Sequence, residues 1–231
     1  MPVIDAGAVR SRDTVVIDVV SDVVCPWCYI GKRKLETALL ELAAQDSAAE
    51  TSVRWHPFQL NPDLPPQGIP RKDYLHAKFG GGARAAEIYA RVKAVGTEVG
   101  IAFDFDRIEI QPNTLAAHRL IAWAQEQAGP ESANALVERL FEAYFIHGRA
   151  IGGAGELVRI ASESGLDAEA ARAMLASTES LEAVSAEDRE ARNVGINGVP
   201  FFIFNGRTAV SGAHDPATLL EAIAKARSTQ D

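Results

Sequence analysis

Cys25-Pro26-Trp27-Cys28 holds both cysteines of the chain, and its flanks constrain the fold more than any other stretch. A β-branched run, Val15 to Val20, leads into it. After it, Ile30, Leu35, Ala38, Leu39 and Leu42 recur at the spacing of one buried helical face. The pair therefore sits where a strand hands over to a helix, and this makes its members unequal. Cys25 falls at the helix N-terminus, where unpaired N–H groups and the helix dipole favour an anion, so its thiol is expected to ionise more readily than a free cysteine. Cys28, one turn on, is expected to point inward. Pro26 occupies the first turn, where a missing N–H costs little, and it stiffens the ring that a Cys25–Cys28 disulfide would close. The expected chemistry is attack by an exposed Cys25 thiolate on a partner's disulfide, followed by resolution of the mixed disulfide by Cys28.

Two other uses of the motif stay open at this point, half of a structural zinc site and a purely structural disulfide. Zinc needs a second CxxC or a paired-histidine spacing, and His56, His76, His118, His147 and His214 show none, so no metal is expected. A formal charge of −8, with no basic cluster longer than Lys32-Arg33-Lys34, argues against a nucleic-acid partner. Met1 to Gly7 lacks the cationic and apolar parts of a signal peptide, and no run approaches a transmembrane helix. A cytoplasmic location is therefore expected, where paired thiols are kept mostly reduced.

Along the chain, residues 1–13 read as a loose polar tail. Residues 14–70 form a βαβ unit: a strand from Thr14 to Val20, the helix after Cys25, and a strand from Ser52 to Leu60, with the crossover leaving the two strands parallel. Asp18 interrupts the first strand on the face of Val16 and Val20. It is either a buried acid exchanging a proton with Cys28 or a surface aspartate. Four prolines between Asn61 and Pro70 mark a loop. Residues 71–194 read as an α-helical insertion, with one short β-prone run at Ile101-Ala102-Phe103, a helix start at Pro112-Asn113-Thr114, and breaks at Gly80-Gly81-Gly82 and Gly152-Gly153. Residues 195–231 close the chain as ββα. Val199 to Phe204, Asn205-Gly206 and Arg207 to Val210 form a hairpin with a type I′ dipeptide, and Asp215-Pro216 opens a last helix.

Three segments carry a resemblance: Ser21-Asp22-x-x-Cys25-Pro26-Trp27-Cys28-Tyr29-Ile30-Gly31, Pro112-Asn113-Thr114-x-x-Ala117-His118-Arg119, and Gly198-Val199-Pro200-Phe201-Phe202. Together they resemble the DsbA-like thioredoxin family, in particular its cytoplasmic FrnE-like branch. The resemblance implies an α/β thioredoxin fold with a large helical domain roofing the disulfide site, and thiol–disulfide oxidoreductase activity on protein or small-molecule thiols and disulfides. It implies that Pro200 is cis and beside the cysteines, leaving the Val199 backbone to pair with an extended substrate. It also implies that His118 and Asn113 face the thiols and tune Cys25, while Trp27 and Trp55 read as packing or substrate-contact surface. Periplasmic DsbA has histidine where this chain has Trp27, so strong oxidant behaviour does not carry over. The chain also resembles 2-hydroxychromene-2-carboxylate isomerases and kappa-class glutathione transferases. Their segment bordering the glutathione pocket is similar to Phe58-x-Leu60-Asn61-Pro62, which makes glutathione a candidate co-substrate and Asn61 a candidate contact. Those enzymes usually carry serine at the nucleophile and dispense with Cys28. No resident cofactor is expected. A redox-responsive chaperone or binding module is the non-enzymatic alternative.

Overall fold

The computed structural model describes residues 14–228. The expected tail, 1–13, lies outside the described residues. Strand β1 (Val15–Ser21), helix α1 (Pro26–Gln45) and strand β2 (Thr51–Pro57) make the expected βαβ unit, with β1 and β2 parallel from Val15↔Thr51 to Ser21↔Pro57. The second strand stops short of the expected Leu60. Phe58 N–H still donates to Ser21 O of β1 at 3.0 Å, but beyond it the backbone N–H groups turn away to carboxylates: Gln59 N–H donates to Asp188 Oδ1 at 2.7 Å and Leu60 N–H to Asp22 Oδ2 at 2.7 Å. Strands β5 (Phe201–Phe204) and β6 (Thr208–Ser211) complete a sheet of order β2-β1-β5-β6, in which β5 is antiparallel to both its neighbours. Central β1 is buried on both faces, which explains its unbroken β-branched run.

The hairpin departs from a two-residue turn. Asn205 and Gly206 take the positive φ angles of a type I′ turn (50° and 67°), and Arg207 N–H closes it onto Phe204 O at 3.0 Å. The ladder, however, pairs Phe204 with Thr208, so Arg207 is an extra residue in the loop. Helix α8 (Pro216–Ser228) then packs on β1, β5 and β6 and lies along α1. This is a thioredoxin fold carrying a helical insertion.

Between β2 and β5 the chain runs through β3 (Ile69–Pro70), α2 (Arg71–Phe79), α3 (Gly82–Glu98), a 3₁₀ turn at Phe105–Arg107, β4 (Ile110–Gln111), α4 (Leu115–Phe145), α5 (Ala154–Glu163), α6 (Ala168–Ala176) and α7 (Leu181–Asn193). Ile101-Ala102-Phe103 is not a strand. Ile101 and Phe103 are buried as core plugs, and the short ribbon of this region instead pairs β3 with β4. Helix α4 is broken at Gly129, whose φ of 84° is non-helical, just before Pro130. Its C-terminal half carries the expected apolar stripe, all of it buried: Val137, Leu140, Phe141, Tyr144 and Phe145.

Two sets of contacts fasten this insertion to the rest of the fold. On α1, Tyr29 stacks on Phe141 (ring centroids 4.9 Å apart) and donates its hydroxyl to Glu138 Oε1 at 2.7 Å. Lys32, buried on the same helix, pairs with Glu36 and with Glu138 Oε2 at 2.8 Å, and Arg33 also pairs with Glu138. At the outer edge of β2, Trp55 N–H donates to Gln125 Oε1 of α4 at 2.8 Å, occupying a backbone donor that an edge strand would otherwise expose.

Candidate active site

Cys25 is the N-cap residue of α1, in extended backbone, and Pro26 is the first helical residue. The cysteine carbonyl accepts from Cys28 N–H at 3.0 Å, which opens the helix and sets the second thiol one turn behind the first. Both thiols are free. Opposite them, the Val199-Pro200 peptide is cis, as the resemblance implies. The Cys25 thiol donates to Val199 O at 3.6 Å, so the loop before β5 sits directly on the first sulfur. That approach needs glycine at position 31: a Cβ there would lie 2.8 Å from Pro200 Cγ and 3.2 Å from Phe202 Cζ.

One expectation is corrected here. Cys25 is not exposed; it is 5% accessible, against 1% for Cys28, because the Val199 loop covers it. The inequality lies instead in what surrounds each sulfur. Burial pushes the Cys28 thiol well above its ordinary range, the Cys25 thiol adds to that, and Ser21 and the Asp22 backbone oppose it. Trp27, at 41% exposure, is the open side chain of the motif.

Asp18 is buried, which excludes the surface reading, but the thiols are not its partners. Its Oδ1 accepts from Arg54 Nε at 2.8 Å and meets His56 Nε2 at 2.8 Å, and the other ring nitrogen of His56 meets Glu187 of α7. Burial would raise the Asp18 carboxyl, but the hydrogen bonds from His56 and Arg54 outweigh it and hold the carboxyl below its usual range. Burial likewise opposes ionisation of His56, yet its bonds to Asp18 and Glu187 push it up to about 9. The acid next to the cysteines is Asp22, fully buried in the turn before α1. The sequence signal for it was its place in the quoted Ser21-Asp22 pair, three residues ahead of Cys25.

Asn113 is likewise turned from the thiols. Its Oδ1 accepts from Gln59 Nε2 (3.3 Å) and Leu115 N–H (3.0 Å), and its Nδ2 donates to the carbonyls of Pro62 (3.4 Å) and Leu64 (2.7 Å). With every polar atom engaged, it pins the 59–64 loop to the start of α4. His118, one turn into α4, is 4% exposed, and its Nε2 lies 3.4 Å from Asp22 Oδ1. It thus reaches the turn before the cysteines. Asn61 keeps a buried Nδ2 without a partner. Among the described residues, no three His, Cys, Asp or Glu side chains are grouped to hold a metal ion, and no helix is long and apolar enough to cross a membrane.

A family model described as the DSBA-like thioredoxin domain matches residues 16–224, and the chain belongs to that family. It is similar in structure to a probable DsbA oxidoreductase from Streptomyces coelicolor, with a TM-score of 0.80 and 30% identity over 92% of this chain and 89% of that one. The protein YwbO of Bacillus subtilis, itself uncharacterised, is 28% identical over 206 residues, 87% of this chain and 91% of its own length. The cytosolic disulfide reductase DsbM of Pseudomonas aeruginosa, solved with GSH, shares the fold at 21% identity and a TM-score of 0.60, over 93% of this chain and 96% of that one.

Proposed function

We propose that this chain is a thiol–disulfide oxidoreductase that works through Cys25 and Cys28 on protein or small-molecule disulfides. The observation that carries the reading is the placement of Cys25 at the start of α1 with the Val199 carbonyl 3.6 Å from its sulfur and a second free thiol one turn behind. In the reductive direction the Cys25 thiolate attacks one sulfur of the partner disulfide and expels the other as a thiolate, which takes a proton. Cys28, once deprotonated, attacks Cys25 Sγ of the mixed disulfide. The second partner sulfur leaves, a Cys25–Cys28 disulfide forms, and two electrons have passed to the partner. The reverse sequence oxidises a dithiol. The Val199 peptide, preceding β5, offers an edge to which an extended substrate segment adds. The cytoplasmic setting of the FrnE-like branch fits a pair that rests reduced.

Insulin reduction driven by a small dithiol tests this. Turnover is expected in the native chain and absent in Cys25→Ser, while Cys28→Ser accumulates the mixed disulfide on Cys25. Turnover that survives Cys25→Ser overturns the reading.

A second reading, a glutathione-dependent isomerase of the 2-hydroxychromene-2-carboxylate type, is favoured by the unpartnered amide of Asn61 in the Phe58–Pro62 segment. It requires glutathione-dependent activity that persists in Cys28→Ala, where the dithiol reading requires its loss.

A further inference from the structure

A small cavity of about 10 Å³ lies where β1, β2 and the first turns of α4 meet, and Ser21, Trp55, His56 and His118 are among its lining. Ser21 Oγ, Trp55 Nε1 and His118 Nε2 are all buried without a hydrogen-bond partner. Three orphaned polar atoms on residues that line one small void are unusual, because folded proteins leave few buried polar groups unpaired. Their chemistry is complementary. The indole N–H can only donate, the serine hydroxyl does either, and a neutral imidazole with its proton on Nδ1 accepts at Nε2. A void that admits one water-sized sphere and presents two to four polar partners is the setting in which an internal water is held.

The position of this void gives it a use. Ser21 is close enough to the Cys28 thiol to favour its ionised form, although its hydroxyl makes no hydrogen bond of good geometry. His118 Nε2 is 3.4 Å from Asp22 Oδ1, so the ring faces the buried carboxylate of the turn that leads into the cysteines. Cys28 itself is sealed at 1% exposure, so its proton must leave through the protein.

We propose that Ser21, Trp55 and His118 hold one internal water, and that this water connects Ser21 to His118 as the path by which Cys28 loses its proton. The inference rests on the dithiol reading and adds the proton route of its second step. The Cys28 S–H proton passes by way of Ser21 and the water to His118 Nε2. The freed thiolate attacks Cys25 Sγ, the Cys25–S–S–R bond breaks, and the departing RS⁻ is protonated by solvent. His118 later returns its proton to bulk water, so the protons balance. His118 touches no reacting sulfur and is a positioning and relay residue. The ionisable groups around the path are Cys25 and Asp22 beside Cys28, Asp22 beside His118, and His56 across the cavity, the last tied to Asp18 and Glu187.

The test separates the two chemical steps by stopped flow with dithiobis-nitrobenzoate, which releases one coloured thiolate when Cys25 attacks and a second when Cys28 resolves the adduct. His118→Gln and Ser21→Ala are each expected to slow the second release roughly 10- to 100-fold, move its pH profile upward and leave the first release unchanged. The double variant should be no slower than the worse single one, since both interrupt one path. A high-resolution crystal structure should show one water within hydrogen-bond reach of Ser21 Oγ, Trp55 Nε1 and His118 Nε2. An empty cavity, equal slowing of both releases, or an unaltered second release overturns the proposal. A second release that persists in Cys28→Ser instead overturns the dithiol reading, and the crystallographic result then judges the water site by itself.

Discussion

The chain places two histidines on the same cavity, each beside a buried aspartate, and treats them in opposite ways. His56, on the sheet side, spends both ring nitrogens, one on Asp18 at 2.8 Å and one on Glu187, and Arg54 completes the cluster from 2.8 Å. His118, on the helical side, meets Asp22 only at 3.4 Å and keeps Nε2 without a proper partner. The aspartates mirror this. Asp18 gives its charge to side-chain cations, whereas Asp22 Oδ2 holds the backbone of Leu60 at 2.7 Å. A buried acid–imidazole pair whose hydrogen bonds are saturated is a strut. The same pair with one valence unspent, next to a thiol, is in a position to move a proton.

Removing parts of the two clusters should break this contrast in graded steps. The largest effect is expected from Asp18→Ala, which removes the buried carboxylate that Arg54 and His56 share, leaves His56 only Glu187, and should cost about 3–5 kcal/mol in urea unfolding at neutral pH. His56→Gln should cost about 1–3 kcal/mol, and its deficit should depend on pH. Because the native environment raises His56 to about 9, from 6.5 for an unperturbed histidine, its contribution is complete below pH 6.5 and fades as pH rises through 9. The native chain and His56→Gln should therefore converge in stability at alkaline pH. Asp18 acts in the opposite direction: with its carboxyl held low, its contribution is present above the ordinary carboxylate range and is lost in acid. The smallest change is expected from His118→Gln, within about 1 kcal/mol, since no good hydrogen bond is broken. A large loss there, or a flat pH profile for His56→Gln, would erase the distinction between strut and relay.

The strands and the order of elements were legible because their signals are local. The β-branched run to Val20, the Asn205-Gly206 turn and the apolar stripe from Val137 to Phe145 each announce themselves within a few residues. The cis-proline corner was readable only through resemblance. What stayed hidden were meetings between distant residues. Nothing near Asp18 in the chain says that Arg54 and His56 will consume it, and nothing near Asn113 says that Pro62 and Leu64 will. The short β3–β4 ribbon joins residues some forty positions apart by two residues a side, too little to leave a pattern. Asp22 and Ser21 were visible in the motif, but their importance depends on His118 arriving from another helix.

The clamp between α1 and the far half of α4 bears on how a substrate enters. Glu138 is gripped by Tyr29, Lys32 and Arg33, all on the helix that begins at the cysteines, and Lys32 is almost wholly enclosed. Swinging the insertion aside like a hinged door would tear a sequestered cation from its carboxylates, an event costing several kcal/mol. The far half of α4 is thus fastened to the very helix that carries both thiols, and the piece resting on the first sulfur is the small Val199 corner.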